Sequence, residues 1–421
     1  MRTWMVWGLA VLVTMGAWVA PPASDAQGVV KILAVTSPET RGLKAVAAEF
    51  TKRTGIQVEF SEQGRLGYFE SVITQLVAGT DAFDLAQINS TFVTELAAAG
   101  AIDFWDEHLN NPRLTNLAEY DLKDIPVIYR YNGKITMIPT DAMSQLLYYR
   151  SDLIAAPPQT WDEVLATARK WTKSLNPQSP TPYGDGVTAM PGPEAPKVFY
   201  PVLWSFGGEV FDTQLTPHLT TPEAVKAAEF YRSLRAVLPP DFSSYNYPKV
   251  LDGLRNGTLA MAAVYWNAAY NDIQASNSPH KDAIKVALIP GVKKPDGTIH
   301  RKPQTHSWGL VLNKRAPSKE AAWKFLLYAT GKEGGRIHGK NGGSPFRTSI
   351  LQDPSWATGP YYSLMVQTLA IATPEPQVTF YSRMHEVMNQ MVSAILDGRE
   401  PIPAILERTN TGLKALVPAK R

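Results

Sequence analysis

Apolar and polar positions along the chain switch between a strand period and a helix period. Residues 30–35 (VKILAV) are almost continuously apolar and predict a buried strand. Leu43, Val46, Ala47 and Phe50 then share one helical face, and Thr54-Gly55 marks its end. Residues 56–60 (IQVEF) alternate as a strand. Strand, helix and strand within about 30 residues make a βαβ unit with a right-handed crossover. Phe69, Val72, Ile73, Leu76 and Val77 predict a second helix. A third strand follows at 84–88, then a short helix over 92–99 stopped by Gly100.

The pattern resumes further on. Residues 134–138 and 145–149 read as extended segments around Pro139-Thr140-Asp141. Thr160-Trp161-Asp162-Glu163 is a capping box. Thr221-Pro222-Glu223 is a cap with proline at the first helical position. Pro248 opens a helix that ends near Asn256-Gly257. Strands are predicted over 258–264, 285–289 and 306–313, and Ser318 caps a helix over 319–329. Residues 290–303, rich in Pro, Gly and Lys, read as a surface hairpin or loop. The tail carries helical patterns over 361–372, 381–396 and 404–416. The expected fold class is α/β, as two lobes, each a mostly parallel sheet flanked by helices.

The N-terminus departs from both periods. One positive charge at Arg2 precedes an apolar run over 4–20, followed by Pro21-Pro22 and the small residues Ser24 and Ala26. That is the order of a secretory signal peptide, with cleavage expected after Ala26 and Ala23 as the second choice. An uncleaved anchor is disfavoured by the prolines and by a run near the short limit for a bilayer span. The chain has no cysteine, which excludes disulfides, thiolate metal sites and a lipidated N-terminal cysteine. The mature chain is therefore expected free in a periplasm. Its roughly 395 residues allow about two domains. A net charge of +3 with interspersed signs argues against a nucleic-acid or membrane-surface role.

Motifs for catalysis or nucleotides fail on inspection. Residues 334–340 fit G-x-x-x-x-G-K, but Asn341 stands where a phosphate loop needs Ser or Thr. His385-Glu386 opens like a zinc-protease helix without its second histidine. What remains is aromatic residues beside polar ones at strand ends, where open α/β sheets bind ligands. The first half offers Thr36-Ser37, Gln63, Tyr68 and Asn89-Ser90. The second offers Asp141, Trp204, Glu209, Trp266, Asn267, His306 and Trp308. Sugars suit such a set: an aromatic plate takes the C–H face, and Asp, Glu, Asn or Arg takes the hydroxyls. Trp266 and Trp308 are equally readable as core, whereas Trp161, Trp171 and Trp323, at helical positions, read as structural.

Several stretches carry a family resemblance. They are 49–58 (EFTKRTGIQV), 84–85 with 96–103, 145–153 (QLLYYRSDL) with 157–163 (PPQTWDE), 203–209 (LWSFGGE), 256–261, 321–326 (AAWKFL) and 342–347 (GGSPFR). In this order they resemble the extracellular solute-binding proteins of bacterial ABC importers, the sugar-binding group that includes maltose-binding proteins, over essentially the whole mature chain. The resemblance implies two lobes with a ligand cleft between them, closing by a hinge. Lobe 1 is expected over 27–138 plus about 304–345, and lobe 2 over 139–303 plus about 346–421. The implied partners are a small carbohydrate and the membrane permease subunits of an importer, with no cofactor, no metal and a monomeric chain. By position, Trp266, Trp308 and Asp141 match cleft residues of the family, with Tyr68, Asn89, Trp204 and Arg347 as softer matches. Many members have Gly-Gly where this chain has His306-Ser307, which narrows the pocket and opens the way to a monosaccharide, disaccharide, polyol or acidic sugar. Two alternatives stay open. The same fold could bind a polyamine, an anion or a metal; paired tyrosines suit ferric ion, and Tyr148-Tyr149 and Tyr361-Tyr362 are such pairs, but neighbours in a strand face opposite ways, so Tyr148 and Tyr149 cannot share one site. An exported glycosidase would need two carboxylates such as Asp141 and Glu209.

Overall fold

The structure, a computed structural model, describes residues 28–355 and 360–418. The expected signal segment lies outside the described residues. β1 (Val30–Val35), α1 (Pro38–Thr54) and β2 (Val58–Gln63) form the expected βαβ unit. Ser37 caps α1 by accepting the Thr40 N–H at 3.2 Å, and Gly55 ends it in the left-handed region at φ 77°. α2 (Tyr68–Val77) leads to β3 (Leu85–Asn89). The chain then runs through β4 (Pro139–Arg150), α3 (Trp161–Lys170), α4 (Ala195–Ser205), α5 (Pro222–Ser233), α6 (Tyr247–Arg255), β5 (Met261–Trp266) and β6 (Ile284–Leu288). β7 (Gln304–Leu312), α7 (Lys319–Ala329), α8 (Lys332–Lys340), α9 (Pro360–Ile371), β8 (Thr373–Pro374), α10 (Tyr381–Asp397) and α11 (Ile402–Leu416) complete it. Residues 290–303 contain the expected hairpin, with Ile299 paired to Lys293. No helix among the described residues is long and apolar enough to cross a membrane.

An eight-stranded sheet runs in the order β2-β1-β3-β7-β4-β5, with β6 on β4 and β8 on β7. It is mixed rather than mostly parallel. β1 pairs parallel with β2 and β3, whereas β7 on β3, β4 on β7, and β5 and β6 on β4 are antiparallel. The cause is β4. Pro139-Thr140-Asp141, expected to interrupt two extended segments, is instead the start of one 12-residue strand. Proline is tolerated there because it is the first residue and owes no ladder hydrogen bond. The first half of β4 pairs with β7 (Thr305 with Ser144), and the second half pairs with β5 and β6 (Tyr148 with Val286). One strand thus serves both lobes and enters the second against the direction of its partners.

Separate cores flank this crossing. One gathers Trp161, Phe199, Tyr231, Met384 and Leu406 around α3, α4, α5, α10 and α11. Another gathers Val46, Phe50, Trp105, Leu310 and Trp323 around α1, α7 and the parallel strands. α4 and α8 were not expected. All eleven residues of α4 are buried, so no polar face betrays its period. α8 contains the G-x-x-x-x-G-K run, which is therefore helical and not a phosphate loop. Ser318 precedes α7 but makes no capping bond; its φ and ψ of −116° and 48° are not those of a cap, and its N–H is held by Asp84 Oδ1 at 2.6 Å. Thr160 does cap α3, accepting the Glu163 N–H at 3.2 Å, while Glu163 Oε2 reaches back to the Gln159 N–H at 2.7 Å. Thr160→Ala is expected to cost about 1 kcal/mol, read as a lower urea midpoint at unchanged slope.

Candidate ligand-binding site

Loops after the carboxyl ends of β1 and β2 bring Pro38, Glu39 and Arg65 to the boundary between the two halves of the sheet. Opposite them stand Glu194 from the turn before α4, Tyr247 at the start of α6, and Trp266 and Ala268 at the end of β5. Met143 of β4 and His306 of β7, partners in the sheet register, form the floor. Together they enclose a chamber of about 30 Å³. A wider groove of about 460 Å³ lies alongside, between Phe69, Glu70 and Ile73 of α2 and Ser382, His385 and Glu386 of α10.

Contacts join the two sides across this boundary. Arg65 Nη2 lies 3.5 Å from Glu194 Oε1, Ser382 Oγ donates to Glu95 Oε2 at 2.7 Å, and the Phe92 ring meets Tyr381 edge-on at 5.1 Å. Trp266 Nε1 donates to Glu194 Oε2 at 2.6 Å, and its ring meets the His306 ring edge-on at 4.3 Å. Burial raises the Glu194 carboxyl, but Lys197, Arg65 and the Trp266 N–H outweigh it and hold it below the usual carboxylate range. Burial, aided by Lys197 and Arg65, drives His306 well below the usual histidine range, so the ring is neutral at neutral pH. Its Nδ1 is buried with no hydrogen-bond partner among the described residues.

The expected site residues divide. Trp266 and His306 line the chamber. Trp308 lies one layer behind: it stacks on Phe69 at 5.6 Å, and the Arg65 guanidinium sits 5.8 Å from its ring centre. Tyr68 is not brought to the chamber, because its hydroxyl donates to the Leu33 and Gln87 carbonyls and ties α2 to β1 and β3. Asn89 uses its Oδ1 on the Thr91 N–H and hydroxyl. Asp141 is buried against His338 Nε2 at 3.2 Å and the Ser344 N–H at 2.5 Å, and burial raises its carboxyl. Trp204 stacks on Tyr200 inside the core around α3, α4 and α10, and exposed Glu209 lies beyond the end of α4. Arg347 is buried away from the chamber. It bonds the carbonyls of Tyr120, Asp121 and Thr330 and pairs with Asp124 at 3.2 Å. Asp141 and Glu209 do not meet as a catalytic pair would. Tyr148 spends its hydroxyl on the Trp266 and Asn267 carbonyls, and Tyr361 receives the Asn267 amide. Among the described residues no group of three His, Cys, Asp or Glu is arranged to hold a metal ion.

Comparison with known proteins places this geometry in a family. The model of the bacterial extracellular solute-binding proteins matches residues 36–336. The chain belongs to that family. Among its relatives is a probable amino-acid ABC transporter periplasmic-binding protein of Sinorhizobium fredii, 26% identical and covering 77% of this chain and 74% of the relative. The erythritol/L-threitol-binding protein of Mycolicibacterium smegmatis is 25% identical, covering 72% and 67%. Among solved structures, a maltose-bound protein of T. maritima superposes with a TM-score of 0.81 at 23% identity, covering 93% of this chain and all of that one.

In this solute-binding protein the sequence reading missed Glu39, Arg65, Glu194 and Tyr247. Ser37, a candidate by its place after β1, is the cap two residues before Glu39. Gln63 lies two residues before Arg65, in a loop that Gly67 closes at φ 75°. Glu194 sits in Pro191-Gly192-Pro193-Glu194, a stretch with no period to read. A buried ion pair also supports the site from behind. Lys197 Nζ lies 3.7 Å from Glu375 Oε1 and 5.9 Å from the Trp266 ring centre. Glu375 further accepts from Gln304 at 2.8 Å and Tyr381 at 2.6 Å, joining β7 to α4 and α10.

Proposed function

We propose that this chain is the exported receptor of an ABC importer that captures a small sugar or polyol in the chamber between its lobes and presents it to a membrane permease. One observation carries the reading. Residues of both lobes and of the crossing strands converge on a single chamber, with Trp266 and Tyr247 as apolar walls and Glu39, Arg65, Glu194 and His306 as hydrogen-bonding groups. That combination suits a molecule with an apolar C–H face and a hydroxyl edge. At about 30 Å³ the chamber in this closed arrangement holds roughly one water, so even a polyol or monosaccharide enters only as the lobes part, and a long maltodextrin suits it less still. The erythritol/L-threitol-binding relative points the same way.

Lobe 1 then comprises residues 27–138 and about 304–345, and lobe 2 comprises 139–303 and about 346–421, with β4 and β7 as the crossings. The receptor acts as a monomer in the periplasm, after cleavage near Ala26, without a lipid tether and without turning its ligand over. A thermal-shift screen across erythritol, ribitol, mannitol and common mono- and disaccharides tests this. A ligand that binds only the folded state raises the melting temperature, by about 2.7 kcal/mol of stabilisation at 100 times its Kd. At least one neutral compound is expected to give that shift. A flat response across the panel, or hydrolysis of a glycoside, contradicts the reading.

A further inference from the structure

Glu39 has a feature that its neighbours lack. It lines the chamber at 6% exposure, yet its carboxylate has no hydrogen bond and no ion pair among the described residues. Its charge is not stranded, because it stands in the first turn of the 17-residue α1, whose N-terminal dipole favours an anion. What the carboxylate lacks is protein donors, and its oxygens remain accessible to take them from a ligand. His306 Nδ1 is a buried polar atom of the chamber lining that has no partner among the described residues.

The surrounding charges narrow what can supply those donors. Glu194 already faces Arg65 at 3.5 Å. Asp141 and Asp272 lie close enough for the Glu39 charge to help raise their carboxyls, after burial itself. An anionic ligand would enter a chamber whose carboxylates outnumber its cations, with its one arginine already engaged. Of the carboxylates here only Glu39 lacks a cationic side-chain partner, and the α1 N-terminus offsets its charge in part; Glu194 has Lys197 and Arg65 nearby, Asp141 has His338 and the Ser344 N–H, and Asp272 has Arg255.

We infer that Glu39 is the specificity-determining residue of the chamber: its two carboxylate oxygens accept hydrogens from adjacent hydroxyls of a neutral ligand, and the site rejects acidic sugars. This rests on the proposed sugar or polyol reading and narrows it to neutral molecules. Charge-assisted bonds to a carboxylate are about twice as strong as neutral ones, which is why an amide is a poor replacement.

The test is calorimetric titration of the full mature chain and of Glu39→Gln with matched probes. These are erythritol, ribitol, mannitol and glucose, the aldonic acids of the same carbon skeletons with glucuronate, and glucosamine. The wild type is expected to bind at least one neutral member and to bind its acid at least about 30-fold more weakly. Glu39→Gln is expected to weaken the neutral member about 10- to 100-fold and to narrow the gap to the acid. Glu39→Asp, which keeps the charge but withdraws it, should weaken binding by a smaller factor, and it serves if the glutamine variant does not fold. An acid that binds as tightly as its neutral partner, glucosamine that binds more tightly than glucose, or unchanged neutral affinity in both variants overturns the inference. Failure of the broader reading looks different: the wild type then binds none of these compounds.

Discussion

Trp266→Ala is expected to lower affinity for the sugar or polyol by about 100-fold or more, equivalent to about 3 kcal/mol. The indole does three things at once. It forms a wall of the chamber, its N–H holds Glu194 Oε2 at 2.6 Å, and its ring fixes the His306 ring at 4.3 Å. Alanine removes the plate for the C–H face and frees two polar groups to leave their binding positions. Trp266 is also 3% exposed, so the unliganded protein should lose about 2–4 kcal/mol. Trp266→Phe separates the roles. It keeps the plate and loses only the N–H, and a drop of about 10-fold is expected. Trp308→Ala should behave in the opposite proportion. Its ring packs on Phe69 behind Arg65, so stability is expected to fall by about 3–5 kcal/mol, and binding should suffer chiefly through the loss of support for Arg65. Calorimetric titration beside urea denaturation reads both effects. Unchanged affinity in Trp266→Ala would remove it from the site.

Glu375→Ala is expected to destabilise the fold by about 3–5 kcal/mol. The substitution leaves Lys197 buried without its counter-charge, and takes one of two partners from the Gln304 amide and the Tyr381 hydroxyl, which keep the Thr305 carbonyl and His385 Nδ1. Burial raises the Glu375 carboxyl, and Lys197 and Tyr381 pull it back. Glu375→Gln keeps an acceptor and loses the charge, so its cost should fall between zero and that of alanine. Because Glu375 ties the crossing strand β7 to α4 and α10, both variants should also weaken ligand binding at a distance from the chamber. A loss under about 1 kcal/mol in urea for Glu375→Ala would mean that Lys197 finds water instead.

The sequence made the amphipathic parts of this fold legible. The helical stripe of Leu43, Val46, Ala47 and Phe50 and the alternation of residues 56–60 correspond to α1 and β2. Thr160 and Thr221 cap their helices as their neighbours suggest. Period fails where an element is buried all round. That hid α4, with Pro201 inside it, and divided β4 at residues that are buried on both faces. The same limit applies to the site. Trp266 and His306 were legible because an aromatic or imidazole at a strand end is conspicuous. Tyr68 and Arg347 have equally conspicuous chemistry, yet each is consumed by backbone carbonyls that only the tertiary structure brings near. Glu39, Arg65 and Glu194 carry ordinary surface residue types. Their role comes from where the turns after β1 and β2 and before α4 meet, and residue type does not report that.

Capture requires that the two lobes close on a ligand held between them. The chain has no cysteine, so two can be added cleanly. Glu70 on α2 and Glu386 on α10 are exposed and face each other across the groove beside the chamber. Spin labels at Glu70→Cys and Glu386→Cys report the distance between the lobes. Addition of a sugar or polyol that binds by titration is predicted to collect the distances into one short, narrow population, and Trp266→Ala in the same background should abolish that response. A distance distribution unmoved by saturating ligand would contradict capture between the lobes.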